Sequence, residues 1–181
     1  SERLYRIVRQ VAKELDKRVN LEIAGAQTEL DRSVLEKLAG PLEHLLRNAL
    51  DHGIESRDAR RAAGKSETGE ITLSVRQSGN EIVIELADDG AGIDLGRVRD
   101  KALALGLVAR DATPTDRQLL DCIFRPGFST AVRVTAISGR GVGMDVVRAE
   151  LGALGGRVEV ETESGRGSRF TLALPLTLAV A

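Results

Sequence analysis

The sequence predicts a two-layer α/β sandwich in which a mixed, mostly antiparallel β-sheet is covered on one face by helices. Alternating apolar residues around short polar turns predict two β-hairpins, within residues 71–86 and 158–174. Between and before them, apolar residues spaced three and four apart predict amphipathic helices. One hydrophobic core is enough for this length, so we expect a single domain over residues 1–181.

Periodicity defines the elements of the first half in chain order. They are a helix at 3–16, a strand at 19–23, a long helix from 31 to 53 and a short charged helix at 56–64. We expect Asp31 to be the N-cap of the long helix. We also expect Gly40-Pro41 to bend or restart it, and Gly53 to end it.

The second half follows in the same way. The first hairpin turns at 78–80, and then come helices at 95–105, 115–123 and 141–154 and a final hairpin that turns at 164–167. Residues 125–140 have small and polar side chains without a usable period, which predicts a mobile segment. Phe128 is expected to find a packing surface that holds this segment down when a triphosphate is bound.

Composition excludes several classes of protein. The chain has 26 Lys+Arg and 27 Asp+Glu, which is not the basic excess of a nonspecific nucleic-acid binder. Its apolar tail, residues 172–181, is too short to insert in a bilayer. The single cysteine, Cys122, excludes an internal disulfide and fits a reducing, cytoplasmic setting. Because the first residue is Ser1, not Met, we expect a domain of a larger protein.

Three polar residues share one face of the long helix. On an ideal α-helix, His44, Asn48 and Asp51 lie within about 60 degrees of each other and away from the leucine stripe. The face is either ordinary solvated surface or a site for a hydrated divalent cation, because an imidazole nitrogen and an amide oxygen suit such an ion.

Asp88 ends the first hairpin and is followed by Gly90 and Gly92. The carboxylate could accept a hydrogen bond from the amino group of adenine, whereas guanine has a carbonyl there, and the glycines would let the purine approach the backbone. The alternative is a simple turn, since Asp-Gly is common turn chemistry.

A glycine run at 139–143 leads directly into a helix and could hold a phosphate on backbone N–H groups. It is not a dinucleotide fingerprint, because Met144 replaces the third glycine, nor is Gly64-Lys65-Ser66 a P-loop, because Ala59 replaces the first one. Arg97 and Lys101, four apart on a helix, are either phosphate ligands or ordinary charged surface.

Taken in order, five segments resemble the nucleotide-binding boxes of histidine-kinase ATP-binding domains, and in detail those of the chemotaxis-type, CheA-class kinases. The segments are 44–53 (HLLRNALDHG), 88–94 (DDGAGID), 127–130 (GFST), 138–145 (SGRGVGMD) and 165–168 (GRGS). The resemblance spans nearly the whole chain. It implies the α/β sandwich shared with gyrase and chaperone ATPases.

The resemblance also implies roles for individual residues. Asn48 would bind the Mg²⁺ of Mg²⁺-ATP, His44 would lie beside the metal and the terminal phosphate, and Asp88 would contact adenine. Residues 125–140 would be the ATP lid. The further implied ATP contacts are Asp51, His52, Gly90, Gly92, Arg97, Lys101, Ser129, Thr130, Gly139, Arg140, Gly141, Val142, Gly143 and Ser168.

The implied reaction is transfer of the γ-phosphoryl of ATP to a histidine on a separate phosphotransfer domain. Dimerisation through a helical domain, and contacts with adaptors, receptors and a response regulator, would belong to parts outside this chain. Two alternatives remain. One is an ATPase with a conformational cycle, which needs a water-activating carboxylate that Glu43 is badly placed to supply, and the other is a noncatalytic nucleotide-binding module.

Overall fold

The computed structural model describes residues 2–128 and 143–179. Its α-helices are α1 Glu2–Glu14, α2 Glu29–Lys37, α3 Ala39–Asn48, α4 Arg57–Ala62, α5 Leu95–Ala104, α6 Asp116–Cys122, α7 Met144–Ala153 and α8 Leu176–Ala179. Its strands are β1 Arg18–Ala24, β2 Thr68–Ser78, β3 Glu81–Asp88, β4 Arg157–Glu163 and β5 Gly167–Pro175. None of these helices is long and apolar enough to cross a membrane.

The strands form one mixed sheet in the order β1-β2-β3-β5-β4. Only the β1–β2 pair is parallel, and the other three pairs are antiparallel. Both predicted hairpins are confirmed, with Leu73 opposite Leu86 in the first and Val158 opposite Leu172 in the second. The predicted fold class is therefore correct.

The core lies between one face of the sheet and the helices. The stripe of α3 predicted from the sequence is fully buried, with Leu42, Leu45 and Leu46 at 0% exposure. It packs in one cluster with Ile84 and Leu172 of the sheet. The opposite face of the sheet is polar and includes charged pairs such as Arg76 with Glu85. The two-layer arrangement follows from this asymmetry.

Two details of the long helix differ from expectation. Its N-cap is Thr28, not Asp31, because Asp31 is the third helical residue and completes a capping box: the Asp31 N–H donates to Thr28 Oγ1 at 3.0 Å, and the Thr28 N–H to Asp31 Oδ2 at 3.3 Å. The helix is also interrupted at Leu38, before Gly40-Pro41. Pro41 therefore lies in the first turn of α3, where its missing N–H leaves no bond unmade.

The end of α3 widens into a π-turn at 49–53, closed by the Ile54 N–H donating to Ala49 O at 2.7 Å. Its free carbonyls are satisfied from outside the helix. Lys17 Nζ donates to the carbonyls of Leu50 at 2.7 Å and Asp51 at 3.1 Å. Burial lowers the pKa of Lys17, an effect that the nearby Asp51 and Glu55 charges oppose. Gly53 ends the helix as predicted.

The predicted mobile segment, residues 125–140, lies outside the described residues from 129 onward. Within its described part, Phe128 is 6% exposed and belongs to the core. The expectation that nucleotide binding gives Phe128 a packing surface and orders this segment stays a prediction.

The leucine stripe makes a first prediction. Leu42→Ala should lower the free energy of unfolding by about 2–5 kcal/mol, because it opens a cavity in a fully buried site. Leu105→Ala is the matched control, since Leu105 is 45% exposed and its truncation should change stability by less than about 0.5 kcal/mol. Urea unfolding of both variants measures the difference, and equal losses would contradict the assigned core.

Candidate functional site

The centre of the candidate site is the carboxyl group of Asp88, at the end of β3. Its Oδ1 accepts the Gly90 N–H at 2.9 Å, and the carboxyl also accepts the backbone N–H of Ser168 on β5. A Cβ on Gly53 would lie 3.3 Å from both carboxyl oxygens. The structure thus brings Asp88, the start of β5 and the end of the π-turn together.

Burial raises the pKa of Asp88 above its ordinary value. The hydrogen bonds from Gly90 and Ser168 oppose this rise, and the charges of Asp89 and Glu55 add to it. A carboxyl group that has lost much of its water gains more from an additional hydrogen-bond donor than an exposed one does. This environment suits recognition of an amino group.

The turn at 88–92 packs against two other segments of the chain. The Ala91 N–H donates to Gly53 O at 2.9 Å, and the Gly165 N–H to Ala91 O at 2.8 Å. A Cβ on Gly90 would lie 2.1 Å from Gly53 O, and one on Gly92 would lie 2.8 Å from Glu163 O. The glycines are therefore required by contacts within the protein. This differs from the sequence-based reason, which was close approach of a purine.

The helices bring a second group of predicted residues together. Asn48, the last residue of α3, donates from Nδ2 to Sδ of Met144 at 2.8 Å. Met144 is the first residue of α7, and its N-cap, Gly143, has no side chain that could cap the helix. Near the other end of α3, a Cβ on Gly40 would lie 3.4 Å from Glu150 of α7. The two helices are therefore antiparallel, and the N-terminus of α7 lies beside Asn48.

His44 and Asn48 lie four residues apart on α3 and both are half-buried, as a shared face requires. The ideal helical angle that placed Asp51 with them does not hold, because the π-turn begins after Asn48. Asp51 is half-buried, whereas the His52 side chain is 69% exposed, with Nε2 3.4 Å from Asp51 Oδ2. His44 and Asn48 therefore share one face of α3, as predicted. Asp51 lies in the π-turn, where the helical angle used for the prediction does not apply.

Ser168 is 8% exposed and shares a hydrogen bond of 3.0 Å with Thr162 Oγ1. Thr162 also accepts the Ile93 N–H at 2.8 Å, so it joins the glycine turn to the last hairpin. The sequence analysis missed Thr162. The hairpin register that pairs Thr162 with Ser168 was the signal that could have found it.

The two predicted cations on α5 have different surroundings. The Arg97 side chain is 89% exposed, with Nε 3.7 Å from Asp94 Oδ2. Lys101 Nζ lies 4.9 Å from the ring centroid of Phe128, a cation–π contact, and burial lowers the pKa of Lys101. Neither contact involves Asp88 or the residues that donate hydrogen bonds to its carboxyl.

The remaining predicted residues lie outside the described residues. They are Ser129, Thr130, Gly139, Arg140, Gly141 and Val142. In the described ranges 2–128 and 143–179 no cluster of three or more His, Cys, Asp or Glu side chains could hold a metal. A groove of about 1040 Å³ lies between α6 and β4, and none of the predicted site residues lines it.

The helix-covered mixed sheet, with the half-buried Asp88 carboxyl at the end of its central strand β3, has the architecture of an ATPase-type α/β sandwich. The chain belongs to the family of histidine kinase-, DNA gyrase B- and HSP90-like ATPases, whose profile matches residues 38–178.

Over 179 residues the chain is 50% identical to chemotaxis protein CheA of Rhizobium meliloti, covering 99% of this chain and 24% of that protein. It is 47% identical over 180 residues to chemotaxis protein CheA of Bacillus subtilis, covering 98% and 27%. The chain therefore spans about a quarter of the length of these relatives.

Solved structures show the same fold at low identity. The blue-light activated histidine kinase of Erythrobacter litoralis EL346 matches with a TM-score of 0.53 and 17% identity, over 96% of this chain and 41% of that one. The histidine kinase domain of the same protein matches with a TM-score of 0.50, over 96% and 63%.

The contacts of the turn at 88–92 lead to a second prediction. Gly90→Ala should cost about 1–3 kcal/mol of stability, because its Cβ would overlap the Gly53 carbonyl. Gly152→Ala is the control: it lies on α7 with nothing within 4 Å of its Cβ, so helix propensity should make it neutral or stabilising by up to about 1 kcal/mol. Thermal unfolding compares them, and an unchanged Gly90→Ala would show that the turn is loose.

A third prediction concerns pH. Because folding raises the pKa of Asp88, the folded state binds this proton more tightly than the unfolded chain, in which the carboxyl has its ordinary pKa of 3.8. The contribution of Asp88 to stability therefore falls as pH rises from that value through the raised pKa. The free energies of unfolding of the unmutated chain and of Asp88→Asn are measured in urea across a pH series. The difference between them at each pH gives the contribution of the Asp88 carboxyl. A difference that grew with pH would contradict the assignment.

Proposed function

We propose that this domain binds Mg²⁺-ATP and, within a CheA-like histidine kinase, donates its γ-phosphoryl group to a histidine on a separate phosphotransfer domain. The observation that carries the proposal is the closeness of the Asp88 carboxyl to Gly53, where a Cβ would lie 3.3 Å from both carboxyl oxygens, at the end of the helical segment that bears Asn48. In this proposal Asp88 would accept the adenine amino group and the Asn48 amide would bind the metal at the other end of the same site. Identities of 47–50% to CheA proteins support the class of reaction.

Adenine would be recognised by Asp88. Its carboxyl has two oxygens, and the bonds from Gly90 and Ser168 leave acceptor capacity for one more donor. The amino group of adenine supplies such a donor, whereas guanine would place a carbonyl against the carboxylate. Selection between the purines then depends on the repulsion as well as the bond.

The metal and the phosphates would lie at the junction of α3 and α7. Asn48 uses its amide nitrogen on Met144, which leaves Oδ1 as a ligand for a hard cation. One amide oxygen fits Mg²⁺ because this ion is usually shared between a few protein ligands, phosphates and water. When bound, Mg²⁺ would neutralise phosphate charge. His44 would lie beside it, and the N–H groups at the N-terminus of α7 would face the anion.

The role of this domain in the reaction would be to hold and orient ATP, the phosphoryl donor, and to neutralise charge at the transferred phosphoryl group. Asp51, His52, Gly92, Arg97, Lys101, Gly143, Ser168 and the glycine run remain proposed ATP contacts. His44 is not the phosphorylated histidine in this proposal. The acceptor histidine, the dimerisation helices, and the sites for adaptor, receptors and response regulator would lie in other domains of a cytoplasmic parent protein.

A conformational ATPase is the less favoured alternative. It needs a carboxylate that activates water beside the terminal phosphate. Glu43, next to His44, forms an ion pair with Arg3 of α1. Its carboxylate is thus directed to α1 and is not available as this base.

Phosphotransfer tests the proposal. In the parent protein supplied with labelled ATP, Asn48→Ala should lower transfer to the phosphotransfer domain by about 100-fold or more, because the charge-neutralising ion loses its ligand. Circular dichroism should stay unchanged, since Asn48 lies outside the leucine stripe. Asn20→Ala, an exposed asparagine on β1, is the control. Unimpaired transfer by Asn48→Ala, or label on His44, would overturn the proposal.

A further inference from the structure

A cluster of charged side chains lies beneath the turn that carries Asp88. It consists of Glu55, Arg60, Lys65 and Asp89, and three of these come from the segment just after the π-turn. Arg60 is 1% exposed, which is rare for an arginine, and is among the largest fully buried side chains of the described chain. A charge buried to this degree is stable only if it is fully paired.

All three nitrogens of the Arg60 guanidinium donate hydrogen bonds. Its Nε donates to Ser66 O at 2.6 Å, and Nη1 donates to Glu55 Oε1 at 2.9 Å and to Asp89 O at 3.3 Å. Its Nη2 donates to Asp89 Oδ2 at 3.0 Å. Asp89 Oδ1 in turn accepts the Glu70 N–H at 2.9 Å, which ties the cluster to β2.

Lys65, the lysine of the triplet that is not a P-loop, has a similar environment. Its ammonium donates to Glu55 Oε2 at 2.7 Å, Asp89 O at 2.8 Å and Gly90 O at 2.9 Å. These three acceptors use all three of its N–H donors. Two of them are backbone carbonyls of the turn itself.

These bonds fix two peptide groups at both ends. In a trans peptide the C=O and N–H point in opposite directions. The peptide whose carbonyl belongs to Asp89 is held by Lys65 and Arg60, and its N–H, that of Gly90, donates to Asp88 Oδ1. The next peptide is held by Lys65 at Gly90 O, and its N–H, that of Ala91, donates to Gly53 O. Rotation of either peptide would remove a bond to the Asp88 carboxyl or to the π-turn.

We propose that Arg60 and Lys65 are positioning residues for purine selection: they hold the peptides of the turn so that the Asp88 carboxyl faces the base. This inference rests on the proposed ATP site. It assigns to the α4 segment a role in nucleotide specificity, although that segment contributes no residue to the predicted nucleotide boxes.

The test is a comparison of ATP and GTP affinities by calorimetry with magnesium. Lys65→Met keeps the side-chain length and removes the charge, so it should weaken ATP binding by about tenfold. GTP binding should change less, and the ATP-to-GTP ratio should therefore fall. Lys65→Arg should restore part of the ratio. Arg61→Met is the charge-matched control, because Arg61 is a neighbour of Arg60 with 61% of its side chain exposed.

A purely structural role would lower the melting temperature of Lys65→Met and leave the ratio unchanged, which would overturn the inference. If Lys65→Met does not fold, Glu55→Gln weakens the same ion pairs while it retains an acceptor, and the ratio should fall less steeply. An unchanged ratio in a folded Glu55→Gln would overturn the inference as well.

Two further results separate this inference from the proposed function. If the unmutated chain prefers ATP and every variant keeps the same preference, the inference is wrong and the ATP site stands. If the unmutated chain binds neither nucleotide, both are wrong. Amide exchange of Gly90 without nucleotide is an independent measurement. It should be faster in Lys65→Met than in Arg61→Met, and equal rates would contradict the claim that Lys65 holds the peptides of the turn.

Discussion

The architecture of the site depends on one backbone contact, between the π-turn at the end of α3 and the turn that follows β3. The Gly53 carbonyl accepts the Ala91 N–H at 2.9 Å, and Gly90 has no space for a larger side chain, since its Cβ would lie 2.1 Å from that carbonyl oxygen. Because α3 belongs to the helical layer and β3 to the sheet, this contact fixes the distance between the layers at the edge where the site lies. The Asp88 carboxyl is held in the gap, with its remaining bonds to Gly90 and Ser168.

The elements of the fold were predictable because their signals are local. The alternation in residues 71–86 and 158–174 depends only on one strand and its neighbour, and the observed registers place the alternating residues opposite each other. The N-cap of the long helix was predicted at Asp31 because aspartate is a good cap, but Thr28 has the same chemistry and gains a reciprocal bond with Asp31. The break at Leu38 and the π-turn after Asn48 depend on tertiary packing, for example on Lys17 satisfying the carbonyls of Leu50 and Asp51. A single helical period contains no information on such contacts.

The candidate site was predictable to the extent that its residues occur in short motifs. Asp88 and Asn48 were found from their segments, and the structure places both near the π-turn. Arg60, Lys65 and Thr162 were not found, because they act on the motifs from distant positions: Lys65 is 25 residues from the Gly90 carbonyl that it holds. Charge patterning alone assigned residues 56–64 to a solvated helix. The burial of Arg60 could not be inferred from it, since a buried arginine needs acceptors that only the folded turn provides.

The two ends of the proposed ATP site are connected through a short length of backbone. Asn48 ends the regular helix, and the π-turn spans 49–53. Gly53 then lies close to the Asp88 carboxyl and accepts the Ala91 N–H. A regular α-helical turn in place of the π-turn would rotate and shift Gly53 relative to Asn48. The spacing between the Asn48 amide, proposed to bind the metal, and the Asp88 carboxyl, proposed to bind the base, therefore depends on the wider turn. Lys17 stabilises that turn from outside, and the Arg60 and Lys65 cluster stabilises its partner from below. The stability of the π-turn is therefore tied to the geometry on which simultaneous binding of base and phosphates would depend.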